Sequence, residues 1–307
     1  MTASSLLEGV VVGLAVGSIY ALIAVGFTVL YKSTRILNLA HGELVLFGGS
    51  LAIAVTSAVG FLPVPVAFAA GVAATLLAAA ALGFAVERAV MRPLFGQPLL
   101  SVIIVTLALG YVIRGVMVGI WSGETRTFPP VVPAAVVRVA GVPVSLVGVW
   151  SAAAAALLLV LFSLFFRYSR WGIAMRAASN EQLTASTLGV SLRRVFAYAW
   201  AFAAVAGAVG GILLGLWLGV NFALAAVGLK ALAAVILGGL DSVPGAILGG
   251  LSVGVVETVL GGYMEAHVRV LGNPLHGFKE VIAYLVILLV LLVRPYGLFG
   301  TEHIERL

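Results

Sequence analysis

At 307 residues the chain is long enough for one or two soluble domains, but 63% of its residues are hydrophobic and only 9% are charged. A water-soluble fold of this size carries about a quarter of its residues as charges, so an ordinary globular enzyme is excluded. The net charge of +6, from 17 Lys and Arg against 11 Asp and Glu, is spread singly or in pairs between apolar blocks and forms no basic face, which argues against nucleic acid as a partner.

The apolar blocks are about twenty residues long, the length that crosses a hydrocarbon core about 30 Å thick. They predict an all-α polytopic membrane protein embedded in a lipid bilayer, with spans over residues 6–30, 43–59, 64–86, 99–121, 144–166, 195–220, 225–240, 244–262 and 281–293. The first block has no basic n-region and no small-residue cleavage site, and is expected to be a retained span and not a signal peptide. The block 225–240 is short enough to be a re-entrant or broken helix, so eight or nine crossings are expected. With no cysteine, disulfides, thiolate metal sites and cysteine nucleophiles are excluded.

Cytoplasmic loops carry the excess of Lys and Arg. One alternating set of loops holds Lys32, Arg35, Arg88, Arg92, Arg167, Arg170, Arg176, Arg193, Arg194, Arg294 and Arg306. The opposite set holds Arg126, Arg138, Arg269 and Lys279, with Lys230 at a boundary and Arg114 inside a span. The first set is therefore assigned to the cytoplasm, with the N-terminus outside and the C-terminus inside. The outer loop 122–143 contains Pro129, Pro130, Pro133 and Pro143 and is expected to be an extended cap. The inner loop 167–194 is expected to hold a short helix, in which Ser179 and Gln182 fit a capping box and Gly189 is a stop; a solvated loop and a docking surface are both open for it.

In the sixth span Gly207, Gly211, Gly215 and Gly219 recur every four residues, a row that lets another helix backbone approach closely. Packing within the bundle and a subunit interface are the two readings. Arg114 and Glu257 lie inside spans, where ionisable groups are expensive. They could pair with each other, Arg114 could snorkel towards Trp121, or both could line a watery path. The segment Asn38-Leu39-Ala40-His41-Gly42-Glu43 is placed at the inner mouth of the second span, where Asn38 caps exposed N–H groups and Glu43 sits in the first turn. A proton relay or metal site at His41 is less economical, because His267, His276 and His303 are distant in sequence and no ligand spacing surrounds it. There is no GxxxxGK[ST] loop, no GxSxG elbow and no HExxH, so no means of hydrolysing ATP or a peptide bond is recognisable; no catalytic residue, metal or cofactor is assigned.

Several of these segments together resemble the membrane permease subunit of bacterial branched-chain amino acid ABC transporters, the LivH type. The resemblance is carried by Gly17-Ser18-Ile19-Tyr20-Ala21-Leu22, the segment from Asn38 to Glu43, Glu87-Arg88 with Arg92-Pro93-Leu94, and Arg176-Ala177 with Asn180, Ala185 and Gly189. Leu229-Lys230-Ala231, then Leu237-Gly238-Gly239-Leu240 with Pro244-Gly245-Ala246, and the tail Arg294-Pro295-Tyr296-Gly297-Leu298-Phe299-Gly300 complete it. It implies a single permease domain in the bacterial cytoplasmic membrane, paired with a second, LivM-type permease and docked on two cytoplasmic ATPases that bind the ATP. A periplasmic binding protein would deliver leucine, isoleucine or valine. It also implies that a cytoplasmic helix seats in an ATPase cleft, with Arg176, Ala177, Ala178, Asn180, Glu181, Ala185 and Gly189 at the matching positions. The chain departs from that pattern in being polar at Thr184, Ser186 and Thr187. A urea or short-amide permease is a close alternative. A stand-alone channel or secondary transporter is a more distant one, since it calls for ion ligands at midplane broken helices.

Overall fold

The first helix, α1 (Ala3–Thr34), runs for 32 residues and would be about 48 Å long, more than a bilayer core requires. It stops where Arg35 turns into the left-handed region at φ 58°, a conformation that no helix continues through. The structure is a computed structural model that describes residues 3–121, 124–139, 141–270, 273–274, 277–294 and 297–300. Ser122, Pro295, Tyr296, His276, His303 and Arg306 lie outside the described residues.

After a non-helical stretch, α2 (His41–Ala58) leads to α3 (Val64–Val86), which Pro63 and Pro65 open. α3 continues through a π-helical turn at Glu87–Met91 and a 3₁₀ turn at Arg92–Leu94. α4 (Leu99–Trp121) is followed by an antiparallel hairpin of β1 (Val136–Val139) and β2 (Val142–Ser145), in which Val136 pairs with Ser145. The described part of the proline-rich loop 122–143 is thus extended, as its composition predicts. α5 (Leu146–Tyr168), α6 (Arg170–Asn180) and α7 (Gln182–Thr187) precede α8 (Leu192–Leu218). α9 (Leu224–Gly238) and α10 (Val243–Val256) follow, and a second π-helical turn at Glu257–Gly261 joins α10 to α11 (Gly262–His267). A two-residue pairing of β3 (Arg269–Val270) with β4 (Asn273–Pro274) precedes α12 (Phe278–Val293).

Among the described residues seven helices are long and apolar enough to cross a membrane, and α9 is a shorter apolar one. The all-helical polytopic architecture therefore stands, with about seven or eight apolar spans; α9 and α12, at 15 and 16 residues, account for the larger number expected from hydropathy. The most apolar stretches of α1 and α8 are each 72% buried, whereas those of α4 and α5 are 22% buried. The first two form the axis of the bundle and the last two lie at its periphery.

Around that axis the same plan occurs twice. A long central helix (α1, α8) is followed by an asparagine turn, a short helix (α2, α9) and a helix that passes through a π-turn opened by a glutamate (α3, α10). Asn38 Oδ1 accepts from the Ala40 N–H at 3.1 Å, and Asn221 Oδ1 accepts from the Ala223 N–H at 2.9 Å. The triplets run in opposite directions: Gly26 faces Ala206 while Ile23 faces Gly210, so α1 and α8 are antiparallel. They also exchange partners, α1 packing on α10 and α8 on α3. Where the short helices meet, Gly42 and Gly228 touch backbone to backbone, and a Cβ on either would collide with the other segment.

The loop 167–194 differs from its sequence expectation. Ser179 does not cap a helix; it is buried in the last turn of α6, which begins earlier, where Ser169 Oγ accepts from the Gly172 N–H at 2.9 Å. α7 starts after Glu181, whose extended backbone (φ −155°) breaks the path, with no side-chain cap. Gly189 does end α7, at φ +88°. The tail returns to α9, where the N–H groups of Leu298 and Phe299 donate to the carbonyls of Leu237 and Gly238 at 2.8 and 3.0 Å.

Candidate functional site

The segment before α2 lies at membrane depth, not at the inner mouth. His41 Nε2 is 3.1 Å from the carbonyl oxygen of Ile23, about three turns inside the end of α1, and its ring meets Phe27 edge-on at 5.4 Å. Non-helical backbone at that depth must be covered by protein. Thr106 of α4 supplies part of the cover: its hydroxyl accepts from the Leu39 N–H at 3.2 Å and donates to the Ile103 carbonyl at 2.8 Å. Asn38 satisfies one N–H, that of Ala40, through its turn and caps no free helix end, because α2 has no side-chain cap bond. Glu43 does occupy the first turn of α2, where the helix dipole favours an anion. The carbonyl of Ile23 can only accept, so Nε2 of His41 carries a proton, while Nδ1 and the Asn38 Nδ2 are buried with no partner among the described residues.

Arg114 and Glu257 do not pair. Arg114 Nη2 lies 2.6 Å from Glu43 Oε1, and Lys230 Nζ lies 2.6 Å from Glu257 Oε1. Each cation meets a carboxylate brought from another helix, which offsets the cost of ionised groups at this depth. Arg114 therefore has a partner and does not depend on snorkelling. Among the described residues each glutamate leaves its Oε2 buried with no hydrogen-bond partner. The environments differ: the Lys230 side chain is 9% exposed and that of Arg114 is 41% exposed. Arg114 and Glu43 border a cavity of about 350 Å³ that opens between α2, α4 and α9, with Leu39, Leu107, Phe222 and Leu229 on its walls. Among the described residues no group of three His, Asp or Glu is placed to hold a metal ion.

The glycine row faces inwards. A Cβ on Gly211 would strike the Val45 carbonyl, and one on Gly207 would press on Leu44 at 3.3 Å, so α2 fills the groove and no subunit can use it. Gly215 meets Val220 and Phe128, and Gly219 is not in the helix at all but ends it at φ +80°.

At one end of the bundle a cavity of about 650 Å³ gathers Lys32, Arg167, Arg176, Asp241 and Phe299, all from loops assigned by charge to one side. At the opposite end Arg126 bridges Val220, both from the other set. Arg176 does not reach outwards. Its guanidinium donates to the Phe166 carbonyl and, at 2.9 Å, to the Arg167 carbonyl, closing the C-terminal end of α5. Ala178 and Ala185 are buried against the bundle, Ala177 is half-buried, and Asn180, Glu181 and Gly189 are exposed. The outward face also carries Leu183 and Leu188, 77% and 80% exposed, which the motif comparison missed. Their signal in the sequence was simple: they are the two large apolar residues in an otherwise polar stretch.

The family described as branched-chain amino acid transport system / permease component matches residues 9–293. The chain is 32% identical to the high-affinity branched-chain amino acid transport system permease protein BraD of Pseudomonas aeruginosa, over 98% of this chain and 97% of that protein. It is 30% identical to the protein of the same description named LivH in Escherichia coli, over 96% of this chain and 95% of that protein. A solved structure, PsaBC from Streptococcus pneumoniae in complex with Fab, is 18% identical over 95% of this chain and 91% of the other, with a TM-score of 0.44. With its apolar spans and a match that covers nearly the whole chain, this multi-pass protein belongs to the branched-chain amino acid transport system permease family and is a transport component, not an enzyme.

Proposed function

We propose that the chain is the permease subunit of an ATP-driven importer that carries leucine, isoleucine and valine across a bacterial cytoplasmic membrane, N-terminus outside and C-terminus inside. The substrates named for BraD and LivH support the cargo. Lacking a phosphate-binding loop, the chain leaves ATP to two cytoplasmic ATPase subunits, takes cargo from a periplasmic binding protein and pairs with a second, LivM-type permease. Residues 1–307 act as one permease domain, with 167–194 as its coupling loop.

The observation that carries this reading is the α6–α7 excursion. Ser169, Arg176 and the buried Met175 and Ala178 fix α6 to the bundle, so a push on α7 reaches α5 and α8. Leu183 on α7 and Leu188 just past its end project at the arginine-rich end, where no lipid tail covers them; a cleft in the ATPase does. Asn180 and Glu181 form the polar rim of that contact, Ala185 seats α7 on its own bundle, and Gly189 supplies the turn back into α8. Purification with the products of neighbouring genes tests this: two ATPases co-purify, and leucine-loaded binding protein stimulates ATP hydrolysis. Leu183→Asp with Leu188→Asp abolishes that stimulation while membrane insertion persists. Uptake by this chain without any ATPase would refute the proposal.

A further inference from the structure

The geometry points to the cavity beside Glu43 and Arg114 as a subsite that grips the free amino acid in transit by both of its charges. The inference rests on the chain being an amino acid permease, and adds where and how the cargo is held.

An α-amino acid presents an ammonium and a carboxylate on one carbon, with its side chain pointing away. The cavity wall has the matching order. Glu43 and Arg114 lie 2.6 Å apart at its polar end, and the rest is mainly apolar, with Leu39, Leu107, Phe222 and Leu229 beside Tyr111. Its volume of about 350 Å³ suits a small solute. Both charged groups have capacity to spare, since among the described residues Glu43 Oε2 is a buried acceptor and Arg114 Nε a buried donor without partners, and Glu43 is 8% exposed. A cargo molecule slipping between them exchanges one ion pair for two: ammonium on Glu43, carboxylate on Arg114. When it leaves, the two side chains close on each other again, so neither charge is left alone at membrane depth. That exchange also keeps binding weak, as a transit site requires, because the cargo must compete with a ready-made pair.

The location fits the same role. Leu39 and Phe222 are the middle residues of the two asparagine turns, so the cavity lies where the two inverted triplets meet and where their short helices start. In secondary transporters, too, polar cargo groups are held where interrupted helices meet at a repeat interface.

The assembled transporter in proteoliposomes, supplied with leucine-loaded binding protein, gives the first test. In Glu43→Gln/Arg114→Gln, leucine uptake per ATP hydrolysed is expected to fall at least tenfold while binding-protein-stimulated hydrolysis persists. Uptake per ATP equal to wild type overturns the subsite. If wild type itself shows no stimulation by the loaded binding protein, the permease reading has failed and the subsite falls with it. A second test needs no change to the ion pair. Because the chain contains no cysteine, Leu107→Cys creates one thiol in it. Leucine is expected to slow maleimide labelling of that thiol in the assembled transporter, while leucinol and 4-methylpentanoate, each lacking one charge, do not. Equal labelling with and without leucine, or equal protection by all three, overturns the proposal.

Discussion

The triplet α1–α3 and the triplet α8–α10 share a plan and differ in how they treat charge. In the second, Lys230 and Glu257 meet inside packed helix, with side chains 9% and 11% exposed. In the first, Glu43 reaches outside its triplet to Arg114 of α4, and the pair faces a cavity. The same distance, 2.6 Å, and a second oxygen with no partner among the described residues occur at both. The two pairs are not repeat counterparts, since the glutamate that opens the first π-turn, Glu87, pairs with Arg92 at 2.7 Å; one triplet locks its charges inside packed helix, and the other adds a pair that borders a cavity. What separates them is access: α4 lies at the periphery, whereas α9 and α10 are wedged against α1.

The largest effect is expected at the closed pair. Lys230→Met leaves Glu257 buried and uncompensated, a loss of about 3–5 kcal/mol, and Lys230→Met/Glu257→Leu recovers most of it because neither charge then needs burial. Arg114→Met costs much less, since the exposed side of that pair lets water reach Glu43 from the cavity. Thermal unfolding of the detergent-solubilised protein measures all three. Equal losses at the two pairs would erase the distinction between lock and subsite.

The next effect concerns the helix contacts that the repeat exchanges. On α10, Gly254 presses on the backbone of Gly17 in α1; on α3, Gly83 lies on Ala201 of α8, where a Cβ would come within 2.6 Å of backbone. Gly254→Ala and Gly83→Ala are each expected to cost about 1–3 kcal/mol through overpacking. Gly115→Ala is expected to cost nothing, since a Cβ there meets open space. Tolerance at Gly83 alone would break the correspondence between the two contacts.

Hydropathy makes most spans legible, because period and length act locally. It misplaces Asn38 to Glu43 because Lys32 and Arg35 mark the run that follows them as a loop. Yet Ile36, Leu37, Leu39 and Ala40 are apolar, as backbone returning into a membrane must be. The partners of Arg114 and Glu257 were not legible, since each comes from a helix far away in sequence and no spacing rule connects them. The docking positions were read from motif likeness, which does not separate residues that face out from residues that hold the loop in place. Arg176 and Ala178 are of the second kind, and Leu183 and Leu188, absent from the motif, are of the first. The repeat left a trace in the two triplets Asn38-Leu39-Ala40 and Asn221-Phe222-Ala223, each following a long span.

Those two triplets supply the smallest and most discriminating comparison. Asn38 is 1% exposed and Asn221 is half-buried, although both close the same turn. Asn38→Ala strands the Ala40 N–H away from water and is expected to cost about 1 kcal/mol, whereas water replaces the side chain in Asn221→Ala, for about 0.5 kcal/mol or less. Asn38 also carries a buried Nδ2 with no partner among the described residues, and that group offsets part of the value of its turn. Asn38→Ser keeps an acceptor and removes the orphaned donor, so it should be more stable than Asn38→Ala by urea or thermal unfolding. If serine is no better than alanine, the turn bond is not what holds the backbone at membrane depth, and the Thr106 contact to Leu39 must carry it alone.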